Sequence, residues 1–318
     1  MTLPSASPAM GMRTALRSAV SLAMMAFLLI WLDASRLLDQ LLGMHPGWVA
    51  VALGVTVAQT LLLAWRWHFT ATRLGLNLPF SNALRGYYQG IFLNQVLPGG
   101  VPGDVSRAWQ HGRTEGNQAS AFRGVVLERL SAQVIMTALA LGCALFLPRA
   151  FGNMAPWFSS TTRAAILLGA LVGGTALVTI SLWLRTRTLE PPPTPVSLRG
   201  KILQEAVHTL LAPDALLFQL GSGILVVGGY VAVFVMAGQA VAAVAAPGHL
   251  ALLAAPVLMA MLVPITVAGW GLREGAAAAL WAAVGLPPEE GVLVSMAYGV
   301  LVLAGSLPGA VTLLRLRS

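Results

Sequence analysis

Long apolar runs dominate this chain and decide its fold class before any motif is considered. A run of about 20 residues can cross ~30 Å of hydrocarbon as a helix. Continuous runs do not fit a membrane β-barrel, whose strands alternate apolar and polar residues in shorter segments. The runs lie at residues 16–32, 47–65, 124–147, 164–184, 217–241, 251–267 and 291–314. The sequence therefore predicts an all-α integral membrane protein with about seven full-length spans, together with broken or re-entrant helices.

Composition indicates that lipid is the main solvent of the chain. Of its 318 residues, 57% are hydrophobic and 9% are charged, whereas soluble domains carry about a quarter charged residues. No segment is long enough for a separate soluble catalytic domain, so we expect one polytopic membrane domain over 1–318. A proline-rich stretch at about 185–203 reads as a cytoplasmic linker between a first half at about 14–184 and a second half at about 204–316.

Basic residues are distributed unequally between the two predicted sides. We assume a cytoplasmic N-terminus, and that segments 80–109 and 251–286 each return to the side from which they enter. The cytoplasmic side then holds Arg13, Arg17, Arg66, Arg73, Arg85, Arg107, Arg113, Arg123, Arg185, Arg187, Arg199, Lys201, Arg315 and Arg317, and the outer side holds Arg36, Arg149 and Arg163. This positive-inside bias predicts a multi-pass protein of a bacterial inner membrane with both termini cytoplasmic. It also explains the net charge of +8 without a nucleic-acid partner.

Prolines and glycines interrupt the membrane pattern once in each half, at 97–104 and at 263–275. Interrupted helices in corresponding positions of two halves point to a transport site near the bilayer midplane. The predicted topology brings the first break in from the cytoplasm and the second from outside, as in an inverted repeat. A tight interhelical loop at the membrane surface is the alternative for each break.

Charged residues lie near both breaks: Asp104, Arg107, Glu128, Arg129, Arg273 and Glu274. Each charge at a bilayer centre costs ~2.5–3.5 kcal/mol on insertion scales, so partners or water are required. Asp104 and Arg107 would share a face of a helix that begins after Gly103, and Asp104 could cap it. Neighbouring residues on a helix do not face one another, so Glu128 and Arg273 are expected to pair with groups other than their neighbours. One such pairing would join Glu128 to Arg273.

These residues allow two interpretations: a polar chamber for an anionic or zwitterionic head group, or buried ion pairs that only fix helix packing. The candidate substrate-binding residues are Asn94, Pro98, Gly99, Gly100, Gly103, Asp104, Arg107, Glu128, Arg129, Pro264, Gly269, Gly271, Arg273 and Glu274. We expect no catalytic residue, no metal site and no cofactor, because the five histidines show no ligand spacing and Cys143 is the single cysteine.

Two sequence blocks carry a family resemblance. Residues 94–107 (NQVLPGGVPGDVSR), followed by 126–130 (VLERL), resemble the first signature of the lysylphosphatidylglycerol synthase transmembrane-region family. Residues 263–275, with Gly269, Gly271, Arg273 and Glu274, resemble its second signature. The resemblance extends from about residue 14 to the C-terminus. In one departure, Pro102 stands where relatives usually have a glycine-rich spacer.

The resemblance implies a polytopic lipid-handling domain. In two-part members such a domain moves aminoacylated phosphatidylglycerol between leaflets, while a soluble domain makes that lipid from aminoacyl-tRNA. Residue 318 follows directly after the last predicted run, so we expect a stand-alone member without the aminoacyltransferase domain. We expect that this stand-alone member is not itself an enzyme.

The leading hypothesis from these observations is a flippase-like protein that binds and translocates a membrane phospholipid or glycolipid. A second hypothesis is a non-transporting accessory or scaffold subunit for a lipid-modifying or glycosyl-transfer enzyme. A third is an intramembrane enzyme that uses Glu128 as acid or base. The sequence contains no P-loop motif, so an ion gradient, the membrane potential or the lipid gradient would have to drive transport.

Overall fold

The computed structural model describes residues 34–97, 101–151, 209–210, 212–262 and 266–314. These residues form helices and connecting turns, with no strand among them. The helices are α1 (Ala34–Leu42), α2 (Pro46–Arg73), α3 (Phe80–Val96), α4 (Pro102–Glu115), α5 (Gln118–Phe151), α6 (Pro213–Ala240), α7 (Pro247–Met259), α8 (Leu272–Ala283) and α9 (Pro288–Leu314), with a 3₁₀ turn at Ala260–Leu262. The predicted all-α class is confirmed.

Proline marks the start of several helices. Pro46, Pro102, Pro213 and Pro247 occupy the first turn of α2, α4, α6 and α7. Proline suits this position because its fixed φ matches a helix and its missing N–H would have no intrahelical partner. Helix α4 ends at Gly116, which adopts a left-handed conformation with φ 67°, the usual geometry of a C-terminal glycine cap.

Four helices in the described ranges are long and apolar enough to cross a membrane. They are Pro46–Arg73, Gln118–Leu147, Pro213–Ala240 and Pro288–Leu314, of 27 to 30 residues each. At 1.5 Å per residue such helices exceed ~30 Å of hydrocarbon. The predicted runs at 16–32 and 164–184, and the linker at 185–203, lie outside the described residues.

The predicted run at 251–267 does not form a full-length span. Helix α7 has 13 residues and ends at Met259, and the chain then passes through the 3₁₀ turn. The structure agrees instead with the assumption that segment 251–286 returns to the side from which it enters. Trp281 at the end of α8 donates to Glu290, which also accepts from the backbone N–H of Val244 and Ala245, just before α7 begins. Helices α7 and α8 therefore form a hairpin.

Helices α3 and α4 form the corresponding hairpin of the first half. The N–H of Asn77, just before α3, donates to Glu115 at the end of α4, and His111 of α4 contacts the carbonyl of Asn77. The chain thus leaves the first hairpin on the side where it entered. Both predicted breaks lie at the tips of these hairpins, after Val96 in one and after Leu262 in the other.

Helices α2 and α6 run antiparallel and pack against each other more extensively than any other pair. The N–H of His45, just before α2, donates to Ala240 at the end of α6, while Arg73 at the end of α2 pairs with Asp214 at the start of α6. Since each of these spans leads into a hairpin, the two hairpins enter the bundle from opposite sides.

The packing of the two halves matches helix by helix. Helix α3 packs on α9 as α7 packs on α5, and α4 packs on α5 as α8 packs on α9. Each half thus consists of a span, a hairpin and a span. Because α2 and its counterpart α6 are antiparallel, the rotation axis that relates the two halves is roughly perpendicular to the helix axes. The described residues therefore form an inverted repeat, which is the arrangement expected from the sequence.

Two large apolar clusters and a smaller third one around Cys143 and Met259 fill the interior. One large cluster surrounds Trp67 and Tyr87 of the first half, and the other surrounds Phe234, Trp281 and Tyr298 of the second. Tyr230 of α6 packs against both large clusters. The polar residues described next lie within this interior.

Candidate functional site

The tip of the first hairpin depends on close contact between two glycines. A Cβ atom on Gly103 would lie 1.9 Å from the carbonyl oxygen of Gly90, far inside van der Waals contact, so only glycine fits here. Asn94 joins the two arms: its Oδ1 accepts from the N–H of Gly103 at 2.8 Å and its Nδ2 donates to Asp104 Oδ2 at 3.3 Å. These contacts fix the start of α4 against the end of α3.

Asp104 is the centre of an ion-pair network at the start of α4. Its Oδ1 accepts from Arg107 Nε at 3.0 Å and from Arg129 Nη2 at 2.8 Å and Nε at 3.1 Å. The predicted shared face of Asp104 and Arg107 is thus confirmed. The helix begins at Pro102, one residue before Gly103, and Asp104 lies in the first turn without capping it, because the N-cap is Val101 and no side-chain cap bond forms.

Arg107 is enclosed by the protein. Its guanidinium lies over the rings of Trp67 and Tyr87, with distances of 4.6 and 4.4 Å from Cζ to the ring centroids. Its Nη2 donates to Glu128 Oε2 at 2.8 Å, and the hydroxyl of Tyr87 donates to Glu128 Oε1 at 3.0 Å. The Nη1 atom of Arg107 is buried and has no partner. A guanidinium between two aromatic faces and a carboxylate is held in one orientation.

Arg129 is the accessible member of the network. Its side chain is 35% exposed and that of Asp104 is 12% exposed, whereas those of Arg107 and Glu128 are each 1% exposed. Arg129 donates hydrogen bonds from Nε and Nη2 to Asp104. The first site is therefore a buried ion-pair network with one guanidinium at its opening.

The tip of the second hairpin contains three positive φ angles, at Ala268 (50°), Gly269 (78°) and Gly271 (85°). The Gly271 conformation lets Glu274 fold back, so that Glu274 Oε2 accepts from the N–H of Gly271 at 2.7 Å. This hydrogen bond places a carboxylate at the positive end of α8, where the helix dipole favours it.

Arg273 and Glu274 form an ion pair with each other, which corrects the expectation that neighbouring residues would not pair. Arg273 Nη2 donates to Glu274 Oε1 at 2.5 Å and its Nε donates at 3.1 Å. The pair forms because Glu274 turns toward the helix start and the long Arg273 side chain reaches the same point. The hydroxyl of Ser295 accepts from Arg273 at 2.8 Å and donates to Glu274 at 3.1 Å.

The second site is sealed. The side chains of Arg273 and Glu274 are 1% and 0% exposed, and the Arg273 guanidinium lies over the rings of Trp270 and Tyr298. No contact joins Glu128 to Arg273, so the suggested pairing between the halves does not form. Tyr230, which packs against both large apolar clusters, lies between the two sites and within electrostatic reach of Arg129 and Tyr298.

The two sites occupy equivalent positions of the repeat. Gly103 and Arg107 in the first half correspond to Gly269 and Arg273 in the second, each 166 residues later (107 to 273). A proline precedes each arginine by nine residues, at Pro98 and Pro264. Pro98, Gly99, Gly100 and Pro264 lie outside the described residues, so the structure gives no placement for these candidates.

Sequence reasoning missed two buried arginines, Arg66 of α2 and Arg123 of α5, both of which it placed on the cytoplasmic side. Arg66 is fully buried. Its Nη1 donates to the carbonyl of Gln219 at 2.9 Å and to Ser222, and its Nη2 donates to Ser131 at 2.7 Å. A signal was available, because Gln59, Arg66 and Thr70 repeat at spacings of seven and four on one face of an apolar helix.

The described residues contain no group of three or more histidine, cysteine or acidic side chains that could hold a metal ion. The arrangement offers guanidinium donors and carboxylate acceptors instead, which suit a phosphate or an amine.

Comparison with known proteins gives one match. No curated protein and no solved structure matches the chain. The model of one family, the lysylphosphatidylglycerol synthase TM region, matches residues 15–309. This range covers both hairpins, three of the four long apolar helices and all but the last five residues of the fourth, in agreement with a multi-pass membrane protein related to lipid handling. The chain belongs to the lysylphosphatidylglycerol synthase TM-region family.

Proposed function

We propose that this chain is a flippase-like translocator of the bacterial inner membrane, with both termini in the cytoplasm, which binds a lipid with an anionic or zwitterionic head group and moves it between leaflets without catalysing a reaction. The observation that carries the proposal is the partly exposed pair of Arg129 and Asp104 at the opening of a buried polar network. Intramembrane charges are expensive and seldom kept where they have no role in transport or binding.

The chemistry of the opening suits a lipid head group. Arg129 can offer donors to phosphate oxygens while Asp104 holds the other edge of its guanidinium. Asp104 also presents a carboxylate to an ammonium group. The surrounding low dielectric strengthens each of these contacts relative to water.

The inverted repeat supports a mechanism of alternating exposure. Inverted repeats let two halves exchange conformations around a site near the midplane, so that the site faces each side in turn. In this structure the first site is partly open and the second is sealed. We propose that movement of the two halves exposes the first site to each side of the membrane in turn, with the driving force supplied by an ion gradient, the membrane potential or the lipid gradient.

The competing functions have less support. An acid or base role for Glu128 would need a reactant beside it, yet Glu128 is fully buried and both its oxygens already accept hydrogen bonds, from Tyr87 and Arg107. A non-transporting accessory subunit fits the sealed pair of Arg273 and Glu274, but it gives no reason for the exposed pair in the first half.

Lipid scrambling in proteoliposomes tests the proposal. Fluorescent phosphatidylglycerol, its lysyl derivative and a polyprenyl phosphate would be compared, using the native chain, Arg129→Gln and Arg149→Gln. Arg149 is an exposed arginine further along α5, so its substitution is a matched control. We expect the native chain and Arg149→Gln to accelerate movement of at least one lipid, and Arg129→Gln to lose that acceleration. If folded native protein accelerates none of the lipids, the accessory-subunit hypothesis replaces this one.

A further inference from the structure

The partners of Arg66 are unusual for a buried arginine. Its three hydrogen-bond partners, on Gln219, Ser222 and Ser131, are all neutral. Its Nε atom is buried without a partner, and among the described residues no carboxylate forms an ion pair with it. Buried charges are normally paired, because an isolated charge in a low dielectric is costly.

Arg66 belongs to the same polar network as the first site. The hydroxyl of Ser131, which accepts from Arg66, donates in turn to the carbonyl oxygen of Glu128 at 2.8 Å. Tyr230 lies within electrostatic reach of both Arg66 and Arg129. Arg66 is therefore linked through Ser131 to the part of α5 that carries Glu128 and Arg129.

The charges of this network do not balance. Arg66, Arg107 and Arg129 supply three positive charges, and Asp104 and Glu128 supply two negative ones. A buried donor of Arg107, its Nη1, also has no partner. Within this network the positive charges therefore exceed the negative charges by one.

The second site shows no such excess. Arg273 and Glu274 cancel each other, and the position equivalent to Arg66, 166 residues later (66 to 232), is Ala232. The unpaired positive charge is thus a feature of the first site and does not follow from the repeat itself.

We infer that the first site selects lipids whose head group carries one net negative charge, a single phosphodiester, over zwitterionic and cationic head groups. This inference rests on the proposed function and narrows its substrate class. Arg129 contacts the phosphate at the opening. Arg66 is a positioning residue that acts through its field, because it is enclosed and cannot itself meet the head group.

The test measures binding and movement separately. Vesicles of phosphatidylcholine would carry the full chain and one fluorescent probe: phosphatidylglycerol with one negative charge, phosphatidylethanolamine with none, or lysyl-phosphatidylglycerol with one positive charge. Thermal stabilisation of the detergent-solubilised chain by the same lipids reports binding without transport. The variants are Arg66→Gln, Arg66→Lys and Arg85→Gln, of which Arg85 is an exposed arginine of α3.

We expect phosphatidylglycerol to move fastest and to stabilise the chain most. Arg66→Gln should reduce the ratio of phosphatidylglycerol movement to phosphatidylethanolamine movement on the order of tenfold. This is the effect expected of one unit charge about 10 Å away in a protein interior. Arg66→Lys and Arg85→Gln should leave that ratio unchanged.

The outcomes separate the two claims. Stabilisation by phosphatidylglycerol without movement of any lipid would overturn translocation and leave the inference standing. Equal or stronger movement and binding of phosphatidylethanolamine or lysyl-phosphatidylglycerol by the native chain would overturn the inference, whether or not Arg66→Gln folds.

Discussion

The first and second hairpin tips share one framework but differ in access. Each carries a buried arginine nine residues after a proline, within the first two turns of a short helix, stacked on aromatic rings and paired with a carboxylate. In the first site the Arg129 side chain is 35% exposed, whereas the Arg273 and Glu274 side chains of the second site are buried. The repeat therefore fixes where the arginines lie, and the residues around them decide whether the site is reachable.

Two substitutions between the halves account for the difference. Trp270 stands where the first half has Asp104, and Ser295 stands where it has Arg129. The indole ring covers the Arg273 guanidinium, and the short serine side chain completes its hydrogen bonds in place of a second arginine. At equivalent backbone positions, the first half therefore has a partly exposed network and the second half has a buried ion pair.

The largest expected effect concerns the glycine contact at the first tip. Gly103→Ala places a Cβ atom against the backbone of Gly90, which cannot yield without separating α3 from α4. We expect a loss of more than about 3 kcal/mol in the free energy of unfolding, above the usual range for overpacking. Thermal unfolding and size-exclusion profiles in detergent measure it.

Gly275→Ala is the matched control for that substitution. Gly275 lies in α8 and a Cβ atom there meets nothing within 4 Å, so alanine should be neutral or slightly stabilising. Equal stability of the two variants would contradict the close approach of the hairpin arms.

The next largest loss in the free energy of unfolding is expected from the Arg273–Glu274 pair. Glu274→Gln leaves Arg273 without a carboxylate in the described structure, and breaking a buried pair costs about 3–5 kcal/mol. The double variant Arg273→Gln with Glu274→Gln should recover part of that loss, since no charge is then left unpaired. A double variant less stable than the single one, in the same unfolding measurement, would argue against a simple pair.

Glu128→Gln should destabilise the protein less than Glu274→Gln, although Glu128 is as buried as Glu274. Arg107 keeps Asp104 as a partner at 3.0 Å, and Tyr87 can still donate to the amide oxygen. We expect a loss of about 1–3 kcal/mol, the usual penalty for an impaired buried hydrogen bond. A larger loss than for Glu274→Gln would mean that the first network is the more rigid of the two.

The sequence predicted the fold class, both breaks and the Asp104–Arg107 pair, because apolar length, proline and glycine placement and helical spacing are local signals. The inverted repeat was also predictable in outline. Its fixed spacing was readable from Gly103, Arg107, Gly269 and Arg273.

The contacts between helices were not predictable in the same way. Arg66 was placed at the surface because it ends an apolar run, and its burial depends on Ser131 and Gln219 from distant helices. The Arg273–Glu274 pair depends on the positive φ of Gly271, which turns Glu274 back. Side-chain partners across a bundle, and local backbone exceptions, override spacing rules.

Thiol labelling tests the contrast between an open first site and a sealed second site most directly. Arg129→Cys and Ser295→Cys would each be made with Cys143→Ala, because Cys143 is the single native cysteine, and each would be reconstituted in vesicles and treated with a membrane-impermeant thiol reagent. The two positions are equivalent in the repeat. We predict that the cysteine at position 129 is labelled and the one at 295 is protected; equal labelling, or protection at 129 alone, would contradict the account.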